Sequence, residues 1–160
     1  MSISRDVLRS LNELGLNLTS KPEYDIPVLP RDITELDDEG LMDLFVQFTQ
    51  WNDHLAGAQA LAIINEREAQ RAVDNAEAAG MLKHWTGAKG DRVALIKAQI
   101  AATEEMQSLT YDLDTKYAFR KLLETRTLNV ERDCSVVSRE LTRRTSDNSG
   151  LRSRTRKFVS

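Results

Sequence analysis

The sequence predicts an all-α protein: a long antiparallel helical hairpin with a coiled-coil seam, oligomerising through its C-terminal helix. Three observations carry this expectation. Seven Gly and three Pro in 160 residues are too few for a turn-rich β architecture. Two long stretches repeat apolar residues at helical spacing, with two glycines in four residues at Gly87 and Gly90 between them. The second stretch holds an average step near 3.5 residues over about five heptads, the period of a left-handed seam.

Residues 1–36 are expected to hold a short helix and an extended connector. Val7, Leu8, Leu11 and Leu14 share a helical face, and Gly15 stands where a C-terminal cap belongs. From Leu16 to Asp32 the chain has no period and contains Pro22, Pro27 and Pro30, each removing a backbone donor. Ile26, Val28 and Leu29 leave two fates for this connector: the protein's own surface, or docking on another subunit.

Residues 37–144 are expected to form the hairpin, with its turn at about 85–91. Thr34 and Asp37 can each cap the first arm, and Asp37, Asp38 and Glu39 suit its dipole. Leu41, Leu44, Phe45, Phe48, Trp51, Leu55 and Ala58 then form a stripe, continued by an alanine-rich stretch to about Lys83. Gly80 weakens this helix by roughly 1 kcal/mol relative to alanine, too little to end it. Asp91 reads as the cap of the second arm. Val93, Ile96 and Ile100 start its stripe, a phase slip follows, and Met106, Leu109, Leu113, Tyr117, Arg120, Leu123, Thr127, Val130, Cys134, Val137 and Leu141 make the seam. Two such helices have almost no interior of their own, so Leu113, Tyr117, Leu123, Val130, Cys134, Val137 and Leu141 are expected at a homo-oligomer interface. Arg120 on the seam either snorkels or pairs with an acid across the interface.

Residues 145–160 are expected to be a flexible basic tail. Residues 139–160 carry seven basic groups against two acidic ones, +5, while the other 138 carry 15 against 23, −8. That asymmetry permits a phosphate-neutralising patch made by Arg143, Arg144, Arg152, Arg154, Arg156 and Lys157 within a mildly acidic chain. A second basic group surrounds the hairpin tip: Lys83, His84, Lys89, Arg92 and Lys97, with Trp85 able to stack on a base. Either group can equally be a solvated surface.

Catalysis has little support. His54 and His84 are thirty residues apart, Cys134 sits at a seam position, and the acid pairs Glu104/Glu105 and Asp112/Asp114 do not share a helix face. Two isolated histidines do not make a metal site, and the Gly87–Gly90 loop lacks P-loop spacing. No cofactor and no enzymatic activity are expected. One cysteine fits a reducing compartment, the start of the chain lacks an apolar signal-peptide core, and no apolar run approaches a membrane span. A cytoplasmic location without membrane contact is therefore expected, the host cell's cytoplasm if the chain is phage-encoded.

Over residues 41–144 the chain resembles the UvsY-like recombination mediators of tailed phages. Trp51-Asn52-Asp53-His54 is similar to a segment near the start of that family's first long helix, Arg67–Arg71 occupies its charged stretch, and Tyr117–Leu141 resembles its oligomerising helix. The resemblance implies a non-catalytic accessory protein of recombination. It would bind single-stranded DNA and assist loading of a recombinase onto strands coated by single-strand-binding protein. The family's first arm is lysine-rich. Here Leu41–Trp85 holds only Arg67, Arg71 and Lys83 against six acids, which moves the expected DNA contacts to the tip and the tail. The alternative is an oligomeric structural or adaptor protein, a virion or assembly component acting through protein contacts.

Overall fold

A computed structural model describes residues 3–85, 87 and 93–157, with side chains described through residue 147. Among the described residues the protein is all-helical. Helix α1 spans Ile3–Glu13, α2 Asp38–His84, α3 Val93–Ala101 and α4 Glu104–Lys157, with one 3-10 turn at Ile33–Glu35. Two compact units result: one comprises residues 1–17 and 58–124, the other 18–57 and 125–160. In each, a segment of α2 packs against a segment of α4.

In the first unit, α1 ends in a Schellman motif. Leu16 N–H donates to Leu11 C=O at 2.9 Å and Gly15 N–H to Asn12 C=O at 3.0 Å, with Gly15 at φ 73°. The helix is tied to α2 where Ile3 N–H meets the Glu68 carboxylate at 3.2 Å. The second arm of the expected hairpin is not one helix. It breaks at Ala102–Thr103, because the Thr103 hydroxyl donates to Ile100 C=O at 2.7 Å and accepts from Met106 N–H at 3.3 Å. Thr103 thereby caps α4, and Glu104 and Glu105 follow in the first turn, where the dipole favours them. The break explains the phase slip. Six residues of unbroken helix would turn Met106 roughly 240° away from Ile100; interrupted, both join Ile96 in one buried cluster lined by Val73, Ala76 and Met81.

Gly80 has a packing role that its helix propensity conceals. A Cβ built there would stand 2.8 Å from Ile100 Cγ1 and 3.1 Å from Cγ2, so α3 lies against bare α2 backbone. Arg120, unexpected on an apolar stripe, finds its acid within the same chain. Its Nε and Nη2 bond Glu66, Nη1 reaches Glu124 at 3.3 Å, and the guanidinium lies 5.3 Å from the Tyr117 ring.

In the second unit, Asp37 caps α2 by accepting from Gly40 N–H at 2.8 Å, whereas Thr34 serves the 3-10 turn by donating to Asp32. Leu41, Phe48, Trp51 and Leu55 of α2 and Thr127, Val130 and Val137 of α4 are buried. Thr49 Oγ1 meets Cys134 Sγ at 3.8 Å and Asp38 meets Arg144 at 2.9 Å. Moving eleven residues along α2 moves ten back along α4, so the two segments are antiparallel.

The connector between α1 and the 3-10 turn lies along α2 of its own chain. Leu18 packs on Gly57 at 3.5 Å, Thr19 C=O meets His54 Nδ1 at 3.0 Å, Lys21 stands 5.9 Å over the Trp51 ring, and Tyr24 donates to Gln50 at 2.5 Å. The partners step backward along α2 as the connector advances. Trp51-Asn52-Asp53-His54 is therefore the surface on which the connector is seated, with Trp51 and His54 ring centroids 5.8 Å apart, edge to face.

Two substitutions test this packing. Gly80→Ala should destabilise the protein by about 1–2 kcal/mol, because overpacking against Ile100 outweighs the gain in helix propensity. In an Ile100→Ala background the same change should become stabilising, a sign reversal readable from urea midpoints. Gly15→Ala meets no steric neighbour, so its cost should be the backbone term alone, about 1 kcal/mol from the positive φ.

Candidate functional site

The basic residues expected to hold phosphate fall into three groups. Arg143 and Arg144 lie one turn beyond Glu140, which is buried with 8% of its surface exposed. The Glu140 carboxylate accepts from Arg143 Nη2 at 2.7 Å and Nε at 2.8 Å, and from Arg144 Nε at 2.8 Å. Arg144 also donates to Asp38 Oδ1 at 2.9 Å and to Thr34 C=O at 3.0 Å, while Arg143 reaches Asp147 at 2.9 Å. The Arg144 side chain is only 18% exposed. It is a staple between α4 and the start of α2. Hydrogen bonds from Arg143 and then Arg144 hold the Glu140 carboxyl down at about 2, far below the ordinary glutamate range, and Glu140 raises both arginines in turn.

Around the hairpin tip, Lys83 is exposed and borders a shallow groove with Gly80, His84, Ile100 and Glu105. Trp85 is half exposed and Leu82 beside it is 82% exposed, an apolar edge at the end of α2. Lys97 is engaged by Glu77 at 2.7 Å. Lys89 and Arg92, with most of the expected turn at 85–91, lie outside the described residues.

Arg152, Arg154, Arg156 and Lys157 lie on the last turns of α4, whose helical backbone continues through 145–150, where the sequence predicts a stop. Their side chains lie outside those described. In the turns before Ser149-Gly150, Thr145 and Ser146 return their hydroxyls to Leu141 and Thr142 C=O at 2.9 and 3.0 Å.

The seam residues expected between subunits differ in how far the chain itself covers them. Val130 and Val137 are fully buried, and Leu113, Leu123, Cys134 and Leu141 are half-buried on the same face. Only Tyr117 stands 49% exposed. The apolar side chains that α4 leaves in solvent are others: Tyr111 at 75%, Phe119, Leu122 at 73% and Leu128. They recur at steps of 8, 3 and 6 residues, a weaker pattern than the seam stripe, which hides it in the sequence.

No group of three or more His, Cys, Asp or Glu is close enough to hold a metal ion among the described residues, and no helix there is long and apolar enough to cross a membrane. Trp51 Nε1 and Asn52 Oδ1 are buried without a hydrogen-bond partner in the described structure. Trp51 lies between Lys21 of the connector and His54 of α2.

The Glu140 cluster makes a pH prediction. A carboxyl with a depressed folded pKa adds stability that is complete above its unfolded pKa and is lost as pH falls through the folded one. The urea midpoint of the protein should therefore fall between about pH 4.5 and 2. Glu140→Gln should be less stable at neutral pH and show a flatter decline across that window. Comparison with protein-family models, curated proteins and solved structures finds no match to this chain.

Proposed function

We propose that this protein is a non-catalytic, self-associating helical component that acts through protein–protein contacts, as a structural or adaptor protein. One observation carries the reading. On the outward face of α4, Tyr111, Phe119 and Leu122 are each at least 60% exposed within twelve residues, on a helix whose other face is already packed. Exposed aromatic and aliphatic side chains grouped on one rigid face are the ordinary mark of a protein-binding surface. The arginines nearest the packed core, Arg143 and Arg144, are at the same time neutralised by Glu140, Asp38 and Asp147.

A second reading, recombination mediation on single-stranded DNA with a recombinase or single-strand-binding protein as partner, is supported by a separate observation. Arg152, Arg154, Arg156 and Lys157 fall within six residues near the end of α4, and Trp85 and Lys83 stand exposed at the end of α2. Cations of this kind neutralise phosphates without reading sequence, and binding would weaken steeply with salt.

Light-scattering mass with and without an unlabelled oligo-dT strand separates the two. The adaptor reading expects a self-associated species whose mass is unchanged by oligo-dT at low salt. Uptake of DNA that declines as salt rises, and that is lost on deletion of residues 145–160, would replace it with the mediator reading.

A further inference from the structure

We infer that the outward face of α4 in the first unit is a two-fold docking surface for a second copy of this chain, in antiparallel orientation. The inference rests on the reading that the protein works through protein contacts, and it names the contact.

The face is built from Tyr111, Thr115, Ala118 and Leu122, all exposed and all on one side of α4. Their spacing of 4, 3 and 4 residues reads the same in both directions, and so does their size: large, small, small, large. The Thr115 hydroxyl is turned back onto its own helix, donating to Tyr111 C=O at 2.8 Å. A two-fold contact between identical patches must be self-complementary. An axis midway between Thr115 and Ala118 sets Tyr111 of each copy against Leu122 of the other, and Thr115 against Ala118. The small central residues let two helix backbones approach, while the large terminal ones close the layer at each end.

Charge supports the same register. In an antiparallel pair on this axis, the flanking position occupied by Asp114 in one copy faces that of Lys121 in the other, and symmetry supplies the pair twice. Asp114 is exposed; Lys121, which also meets Glu124 at 3.1 Å, keeps half of its side chain in solvent. A parallel pairing would instead set Asp114 beside Phe119 and Lys121 beside Arg126 of the other copy, with no ion pair. On the opposite flank Phe119, 60% exposed, widens the apolar strip. The strip is about 16 Å long, short for an obligate interface, so association should be concentration-dependent. None of these residues belongs to the buried seam that the heptads of α4 advertise.

Sedimentation velocity on the full chain across a concentration series tests the proposal. The wild type should pass from monomer to dimer. Ala118→Arg brings two guanidinium groups together near the axis and should weaken dimerisation at least ~10-fold, with helical content and melting unchanged because Ala118 is exposed. Asp114→Lys and Lys121→Asp should each weaken it severalfold, and the double exchange should restore it. A wild type that stays monomeric throughout overturns both this contact and the self-association in the broader reading. Self-association that ignores Ala118→Arg, or a double exchange no better than either single change, overturns this face alone and leaves the broader reading standing.

Discussion

The structure depends on one spacing constraint along α2. Five of its buried positions recur every seven residues, at Leu41, Phe48, Leu55, Ala62 and Ala69, with Trp51 buried beside them. A helix whose apolar residues return every seven positions keeps one narrow line facing its neighbour over many turns. That line is enough to bury a segment of α4 against α2 in each unit. Burial of each Leu, Phe or Val on it contributes about 1.5–3 kcal/mol, and everything else in the fold adjusts to the size of what stands there.

The size changes along the line. Leu and Phe fill it up to Leu55, then alanine takes over at Ala62 and Ala69, and farther along α2, off this line, Gly80 has no side chain at all. Small residues let partners come close, so the alanine stretch belongs to the unit in which α1 and α3 also pack on α2. The close approach of Ile100 to Gly80 is the extreme of this trend. Where the residues are large, packing is closed by polar clips instead: Asp38 and Thr34 to Arg144, Thr49 to Cys134 and His54 to Thr19.

Charges follow the same division of labour. Arg120 and Arg144 are two of the least exposed cations, and each is satisfied by carboxylates of this chain: Glu66 and Glu124 in one case, Glu140 and Asp38 in the other. A guanidinium brought beside a packed face needs such partners, because its desolvation would otherwise cost several kcal/mol. Their attachment explains why a basic residue in a basic region need not be a ligand-binding one. Positive charge counted along a sequence measures what the chain carries; pairing decides what it can offer to a phosphate.

Helical class, the capping of α1 by Gly15, the Asp37 start of α2 and the stripes from Leu41 to Leu55 and from Met106 to Leu141 could all be read from residue spacing, because these are local properties set within one or two turns. Which surface each stripe covers could not. A heptad seam looks the same whether its partner is another subunit or another segment of the same chain, and here Val130 and Val137 are buried within the chain. The Thr103 break showed in the sequence only as the phase slip before Met106, while the bare contact at Gly80 and the pairing of Arg120 with Glu66 are invisible to periodicity, since they need the position of a residue twenty and fifty-four places away. Local spacing selects helices; only the packed chain decides which of their faces is spent and which, as at Tyr111 to Leu122, is left to meet a partner.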